Sequence, residues 1–206
     1  MVPAGMIQLE MGMTHERTDG SGSSSIGEGL LRIPLSRRLE ARIGFPSLFV
    51  DGSRKVSDAS VGAKIELPDG PGGYQFGVIG SMSLPTGQAP LSAETVVPSV
   101  ILAAGGPLVG SAGIGGQITA SLPEQSDSRV LVSGATLVVS APIGAKTGAF
   151  LELAGESVEF DDLHLLSHAG VTFAVDPMWQ LDVHLGTALT DDSPDLFVGF
   201  GFVYRR

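Results

Sequence analysis

Cysteine is absent from the 206 residues, which excludes a disulfide framework and any thiolate metal site. Basic residues are also scarce: 12 Lys and Arg stand against 22 Asp and Glu, a formal charge of −10. Phosphate binding needs clustered cations, so nucleic acid is excluded as a partner. No long apolar run survives without a breaker. The longest uncharged stretch, residues 95–123, is divided by Pro98, Pro107 and the pairs Gly105-Gly106 and Gly115-Gly116. It therefore reads as two strands and a turn rather than a membrane helix. The start, "MVPAGMIQLEMGMTH", lacks a basic region followed by an apolar one. That fits a chain whose signal peptide has been removed.

What is present is apolar yet rich in helix breakers: 29 glycines and 13 prolines with a mean hydropathy of +0.28. Read with period two, the chain divides into about twelve segments of roughly ten residues, the length a tilted membrane strand requires. These are Met6–Thr14, Ile26–Leu35, Leu39–Phe45, Ala59–Leu67, Tyr74–Leu84, Val96–Ala104, Ala112–Ser121, Val130–Ala141, Thr147–Leu153, Leu163–Val175, Trp179–Leu189 and Leu196–Arg205. Ala59–Leu67 is the clearest, with Ala59, Val61, Ala63, Ile65 and Leu67 against Ser60, Gly62, Lys64 and Glu66.

Connections alternate in character. Long polar ones such as "HERTDGSGSSS", "PTGQAPLSAE" and "TDDSPD" exchange with tight ones such as "SRR", "PIGAK" and "DPM". This alternation predicts one all-β domain over residues 1–206: a closed, up-and-down antiparallel transmembrane barrel with both termini at the short-turn, periplasmic end. The six long loops and their flanks hold fourteen acids and four bases, so the whole net charge falls at one end. Solvation accounts for such loops, and divalent bridging to lipid phosphates is the sharper alternative.

Membrane barrels carry aromatic girdles at the interfaces. Tyr74, Phe76, Phe173, Trp179, Phe202 and Tyr204 fall at the periplasmic strand ends, Phe45, Phe160 and Phe197 at the other rim, and Phe150 alone in mid-strand. In "LFVGFGFVYRR" (196–206), Val198, Phe200, Phe202 and Tyr204 are assigned to lipid and Gly199, Gly201 and Val203 to the interior.

A charge facing lipid costs about 2–4 kcal/mol near mid-membrane, so ionised strand residues are assigned inward. They form the candidate pore lining or interior network: Glu10, Glu28, Arg32, Glu40, Arg42, Lys64, Glu66, Glu152, His164, His168, Asp182 and His184. Gln75, Gln117 and Gln180 join them. On neighbouring strands, Glu28/Arg32, Glu40/Arg42 and Lys64/Glu66 are expected to form a ladder of paired charges. Gly77, Gly113, Gly115, Gly186, Gly199 and Gly201 are expected to leave room along the wall. Eight strands are filled by side chains and sixteen leave an aqueous channel, so twelve suit a narrow conduit for a small, poorly charged solute. An enzyme is not expected: Ser167 faces away from His168, no G-x-S-x-G turn occurs, and neither a cofactor nor a metal is called for. A sealed structural barrel, a barrel lipid-modifying enzyme and a soluble ligand-binding β-barrel are the alternatives.

Four stretches, "SRRLEARIGFP" (36–46), "SDASVGAKIEL" (57–67), "GSMSLPTGQ" (80–88) and "WQLDVHLG" (179–186), resemble in order the bacterial outer-membrane barrel family named for the meta-pathway of phenol degradation. The resemblance implies an outer-membrane transporter, some members of the family lying beside aromatic-degradation genes. Where the family shows "GxGD" before the fourth strand, this chain reads Val56-Ser57-Asp58. The ending resembles a barrel-assembly signal through Gly199, Phe202 and Tyr204, although Phe197 stands where a polar residue is expected. The expected setting is the bacterial outer membrane. The expected partners are its lipid, the barrel assembly machinery and a small hydrophobic or aromatic solute, with the protein a monomer.

Overall fold

The computed structural model describes residues 1–190 and 194–206. Asp191 and Asp192, counted above in the acidic loops, lie outside the described residues. Twelve antiparallel strands form the wall: β1 (Gln8–Thr18), β2 (Ser21–Ile26 and Gly29–Pro34), β3 (Leu39–Phe45, continued by Leu48–Val50), β4 (Arg54–Val56 and Ala59–Glu66), β5 (Gln75–Leu84), β6 (Val97–Val109), β7 (Ala112–Ser121), β8 (Val132–Pro142), β9 (Thr147–Val158), β10 (Asp161–Ala174), β11 (Trp179–Ala188) and β12 (Leu196–Arg205). Each pairs with its sequence neighbours, and β12 returns to β1. The seam runs from Gln8 opposite Arg205 to Arg17 opposite Leu196. Ile7 and Arg206 extend it by exchanging backbone hydrogen bonds. The β12–β1 seam closes the wall into a cylinder, the condition for backbone in hydrocarbon.

Side chains alternate across this wall. One face carries Leu102, Ile118, Leu151, Leu185 and Phe200, each more than half exposed. The other carries the ionised residues, among them Glu40 with no exposed surface at all. A large apolar band outside and polar groups within match a hydrocarbon solvent around the cylinder.

Two local features differ from the sequence expectation. The stretch Gly105-Gly106-Pro107 is not a turn: β6 continues through it to Val109, and the turn lies at Gly110-Ser111. Pro107 is accommodated where the register to β7 shifts, at Ala112/Gly113. Several strands also run past their predicted ends toward the long loops. β1 reaches Thr18 and β9 reaches Val158, while "PSLFVDGSRKVSD" is largely a hairpin that prolongs β3 and β4. In β2 a bulge interrupts the ladder, where the N–H groups of Gly27 and Glu28 both donate to the carbonyl of Gly12 at 2.9 and 3.1 Å. Gly27 takes φ +82° there, a conformation that a side chain strains.

Candidate functional site

The twelve candidate lining residues share the inward face, but the barrel sorts them into separate groups. The first lies at the short-turn end of β1–β4. Arg32 Nε donates to Glu40 at 2.8 Å and its Nη1 to Glu10 at 2.9 Å. Arg42 Nη1 donates to the same Glu40 oxygen at 3.1 Å, and the Val2 N–H to the other at 3.0 Å. Arg205 joins through Gln8, whose amide reaches Glu10. Such reciprocal satisfaction is what makes burial of these charges tolerable.

Of the expected cross-strand ladder, this network joins Arg32 of β2 to Glu40 of β3. Glu28 stays outside it: the β2 bulge sets this residue beside β1, where it accepts the hydroxyl of Thr14 at 3.1 Å. Lys64 and Glu66 form no ion pair among the described residues. The stem of Lys64 instead lies against Gly77, where a Cβ would stand 2.9 Å from its Cε.

A second group spans β9–β12. The rings of His168 and His184 lie 5.4 Å apart between centroids. Phe150 and Phe197 present edges to His168 at 5.6 and 5.8 Å. Glu152 stands 3.7 Å from His168 Nε2 and Asp182 3.8 Å from His184 Nδ1. His164 lies nearer the long loops, opposite Glu156. Phe197 is an interior residue rather than a rim aromatic, and it is nearly buried. Phe150 likewise turns inward. Gly186, Gly199 and Gly201 are not open space: a Cβ there would meet the Phe197 ring, the His184 ring and the Asp182 carboxylate respectively. These glycines admit neighbouring side chains rather than solute.

Between the two groups the wall changes character. The inward positions of β5–β8 include Ile79, Ser81, Ser99, Ile101, Ala103, Gly115, Gln117, Thr136 and Val138, and no Lys, Arg, Asp or Glu falls within these four strands. Ser81 and Ser99 hydroxyls meet at 2.7 Å. Toward the long loops, β7–β10 enclose a recess of about 380 Å³ lined by Gln117, Thr119, Thr136, Glu156, His164 and Leu166. Sequence reasoning placed Glu156 in a loop and overlooked Thr119 and Thr136. Their even spacing with Gln117 and Gly134 was the available signal.

At the short-turn end, Trp179 stacks on Tyr204 at 4.5 Å and on Phe202 at 5.6 Å. Phe173 and Phe76 point outward at the same end, and Tyr74 precedes β5 with its ring against Gly106. Val2, which no periodicity singled out, is almost wholly buried over the Glu40 network.

A search of curated proteins finds no match. Among solved structures the fold is shared with an outer membrane channel from Pseudomonas putida F1, at 16% identity and TM-score 0.76, covering 100% of this chain and 97% of that one. It is shared too with the NanC porin, at 8% identity and TM-score 0.69, covering 95% and 98%. The KdgM porin, solved in complex with disordered oligogalacturonate, aligns at 9% identity and TM-score 0.67, covering 97% and 98%. With a sequence match over residues 1–205, the chain belongs to the family described as "Putative MetA-pathway of phenol degradation".

Proposed function

We propose that the protein is a passive channel of the bacterial outer membrane for small solutes of hydrophobic or aromatic character. The observation that carries this reading is the uncharged inner wall of β5–β8, built from Gly, Ala, Ser, Thr, Gln, Ile and Val and set beside charged walls on either hand. A lumen wholly ringed by charge would penalise an apolar solute through desolvation of the wall; a lumen with one neutral face gives it a path. Twelve strands fall between the eight that side chains fill and the sixteen that leave an aqueous channel, which suits a narrow conduit. The shared fold with outer membrane channels and porins supports the same reading.

The solute class comes from the family's name and from the neutral wall together. The protein acts alone as a monomer, delivered by the barrel assembly machinery into outer-membrane lipid, without a cofactor. An enzyme reading gains nothing from the geometry, since Ser167 alternates with His168 and faces the lipid side. A sealed structural barrel is favoured by one observation: Val2 is buried over Glu40 at the short-turn end.

Purified protein in planar bilayers and in proteoliposomes tests the proposal. Discrete single-channel conductance with swelling in small aromatic solutes is expected. Neither conductance nor flux would leave the sealed barrel standing.

A further inference from the structure

The interior holds two kinds of polar surface. Around Glu40, Arg32, Arg42 and Arg205 each have an acidic or amide partner, and the carboxylate accepts from two arginines and a backbone N–H. Such a network is occupied with itself. The recess of β7–β10 is the opposite case: among the described residues, Gln117, Thr119, Thr136, Glu156 and His164 make no side-chain hydrogen bond to protein.

Their register makes one surface of them. Gln117 lies opposite Thr136, Thr136 opposite Ala154, and Ala154 opposite Leu166. In the adjoining row, nearer the long loops, Thr119 lies opposite Gly134, Gly134 opposite Glu156, and Glu156 opposite His164. Each row thus has a small residue at its middle and polar groups around it. The small size of Gly134 and Ala154 leaves the hollow, with the polar groups around it. No Lys or Arg occurs anywhere in β7–β10. Among the described residues, the only fixed charge lining the recess is the Glu156 carboxylate.

We infer that this recess is the solute-binding station of the lumen, taking uncharged or cationic solutes that bear hydrogen-bonding groups and disfavouring anions. It rests on the channel reading and names where a solute pauses and by which chemistry. Polar groups without protein partners exchange bonds with water for bonds with a solute, at a small net gain for each. Leu166 and Ala154 contribute an apolar floor for a ring or methylene body. An anion gains no counter-charge here and meets Glu156, a like-charge penalty strengthened inside a narrow lumen. The charged residues most conspicuous in the sequence are therefore not those that meet the solute.

Block of single-channel current by three ring compounds of matched size separates the outcomes. The probes are 4-hydroxybenzyl alcohol (neutral), 4-hydroxybenzylamine (cation) and 4-hydroxybenzoate (anion). The first two are expected to block at concentrations about tenfold below the third, and Q117L and T136V to weaken their block about three- to tenfold, the effect of roughly one lost hydrogen bond. E156Q is expected to bring the anion's block up toward that of the neutral compound. T119V, in the adjoining row, repeats the test should either of the first two variants not fold. A conducting protein that all three probes block alike, before and after substitution, overturns the station and leaves the channel standing. Absence of conductance and flux overturns the channel, and the station with it.

Discussion

The carboxylate of Asp58 accepts the backbone N–H of Gly87 at 2.8 Å, joining residues 29 apart in sequence. The same oxygen accepts from Thr86 N–H at 3.0 Å, and the other oxygen from Ala93 N–H at 3.0 Å. Asp58 thus holds both ends of the long loop that follows β5. Gly87 is the residue that lets the loop come so close, since a Cβ there would stand 2.6 Å from the carbonyl oxygen of Val56. Two of the stretches that carry the family resemblance, around Asp58 and "PTG", are therefore halves of one clasp.

Its pH response has a definite sign. Burial alone would raise the Asp58 carboxyl, but donors from Gly87, Ser92, Ala93 and Thr86 outweigh it and hold the group below its ordinary value. A depressed folded-state value means the clasp is fully present above the ordinary carboxylate range and is lost only as pH falls through the lower folded value. The amide proton of Gly87, followed by NMR in micelles, should keep its hydrogen-bonded shift down to that acidic limit. In D58A that shift should be lost at neutral pH, with a cost of about 1–3 kcal/mol in loop stability. An unchanged Gly87 resonance in D58A would disprove the clasp.

Glu40 supports a stability prediction. It is fully buried, with Arg32 and Arg42 both donating to it. Removing its charge in E40A leaves Arg32 with Glu10 but takes from Arg42 its carboxylate partner, and an unpaired buried charge costs about 3–5 kcal/mol. Denaturant unfolding in detergent should show a loss of that order. Because this network is remote in role from the solute station, probe block in E40A should change far less than in Q117L. A destabilisation under 1 kcal/mol would mark the network as solvated rather than enclosed.

Gly199 and His184 make a paired prediction. The His184 ring occupies the space that a side chain at residue 199 would need. Gly199→Ala should therefore destabilise by about 1–3 kcal/mol through overpacking. His184→Ser alone empties the space, and the double variant should recover most of the Gly199→Ala loss. Additive effects of the two substitutions in a double-mutant cycle would show that they do not share that space.

These relationships mark how far the sequence could be read. Strand facing was legible wherever lipid meets one side: Val198, Phe200, Phe202 and Tyr204 alternate with glycines because hydrocarbon selects every second residue. Strand ends were not legible at the long-loop side. There, His15–Thr18 and Glu156–Val158 continue the ladder in water, where no burial imposes a period. The inward assignment rests on one rule, that charge does not face lipid. The place of Glu28 was not legible, because the bulge at Gly27-Glu28 turns it to Thr14 of β1, and one residue of bulge carries little sequence signal. The glycines misled for a related reason: a missing side chain reads as space, whereas Gly199 and Gly201 are filled by residues of the neighbouring strand.

Trp179 tests the surrounding solvent itself. It is the single tryptophan of the chain, partly exposed and stacked on Tyr204 at the outer face of the short-turn end. An indole with an apolar body and one N–H donor settles where hydrocarbon gives way to headgroups. In bilayers its fluorescence should be quenched strongly by lipids brominated near the headgroup and weakly by lipids brominated at the distal end of the chain. Aqueous iodide should quench it less than it quenches free tryptophan. The stack also places Phe202 and Trp179 side by side on the same belt, so Phe202→Ala should shift the emission without moving the depth preference. If iodide quenched Trp179 fully while neither brominated lipid did, water rather than lipid would bathe the outer wall. The apolar face of β12 would then need a protein partner to cover it.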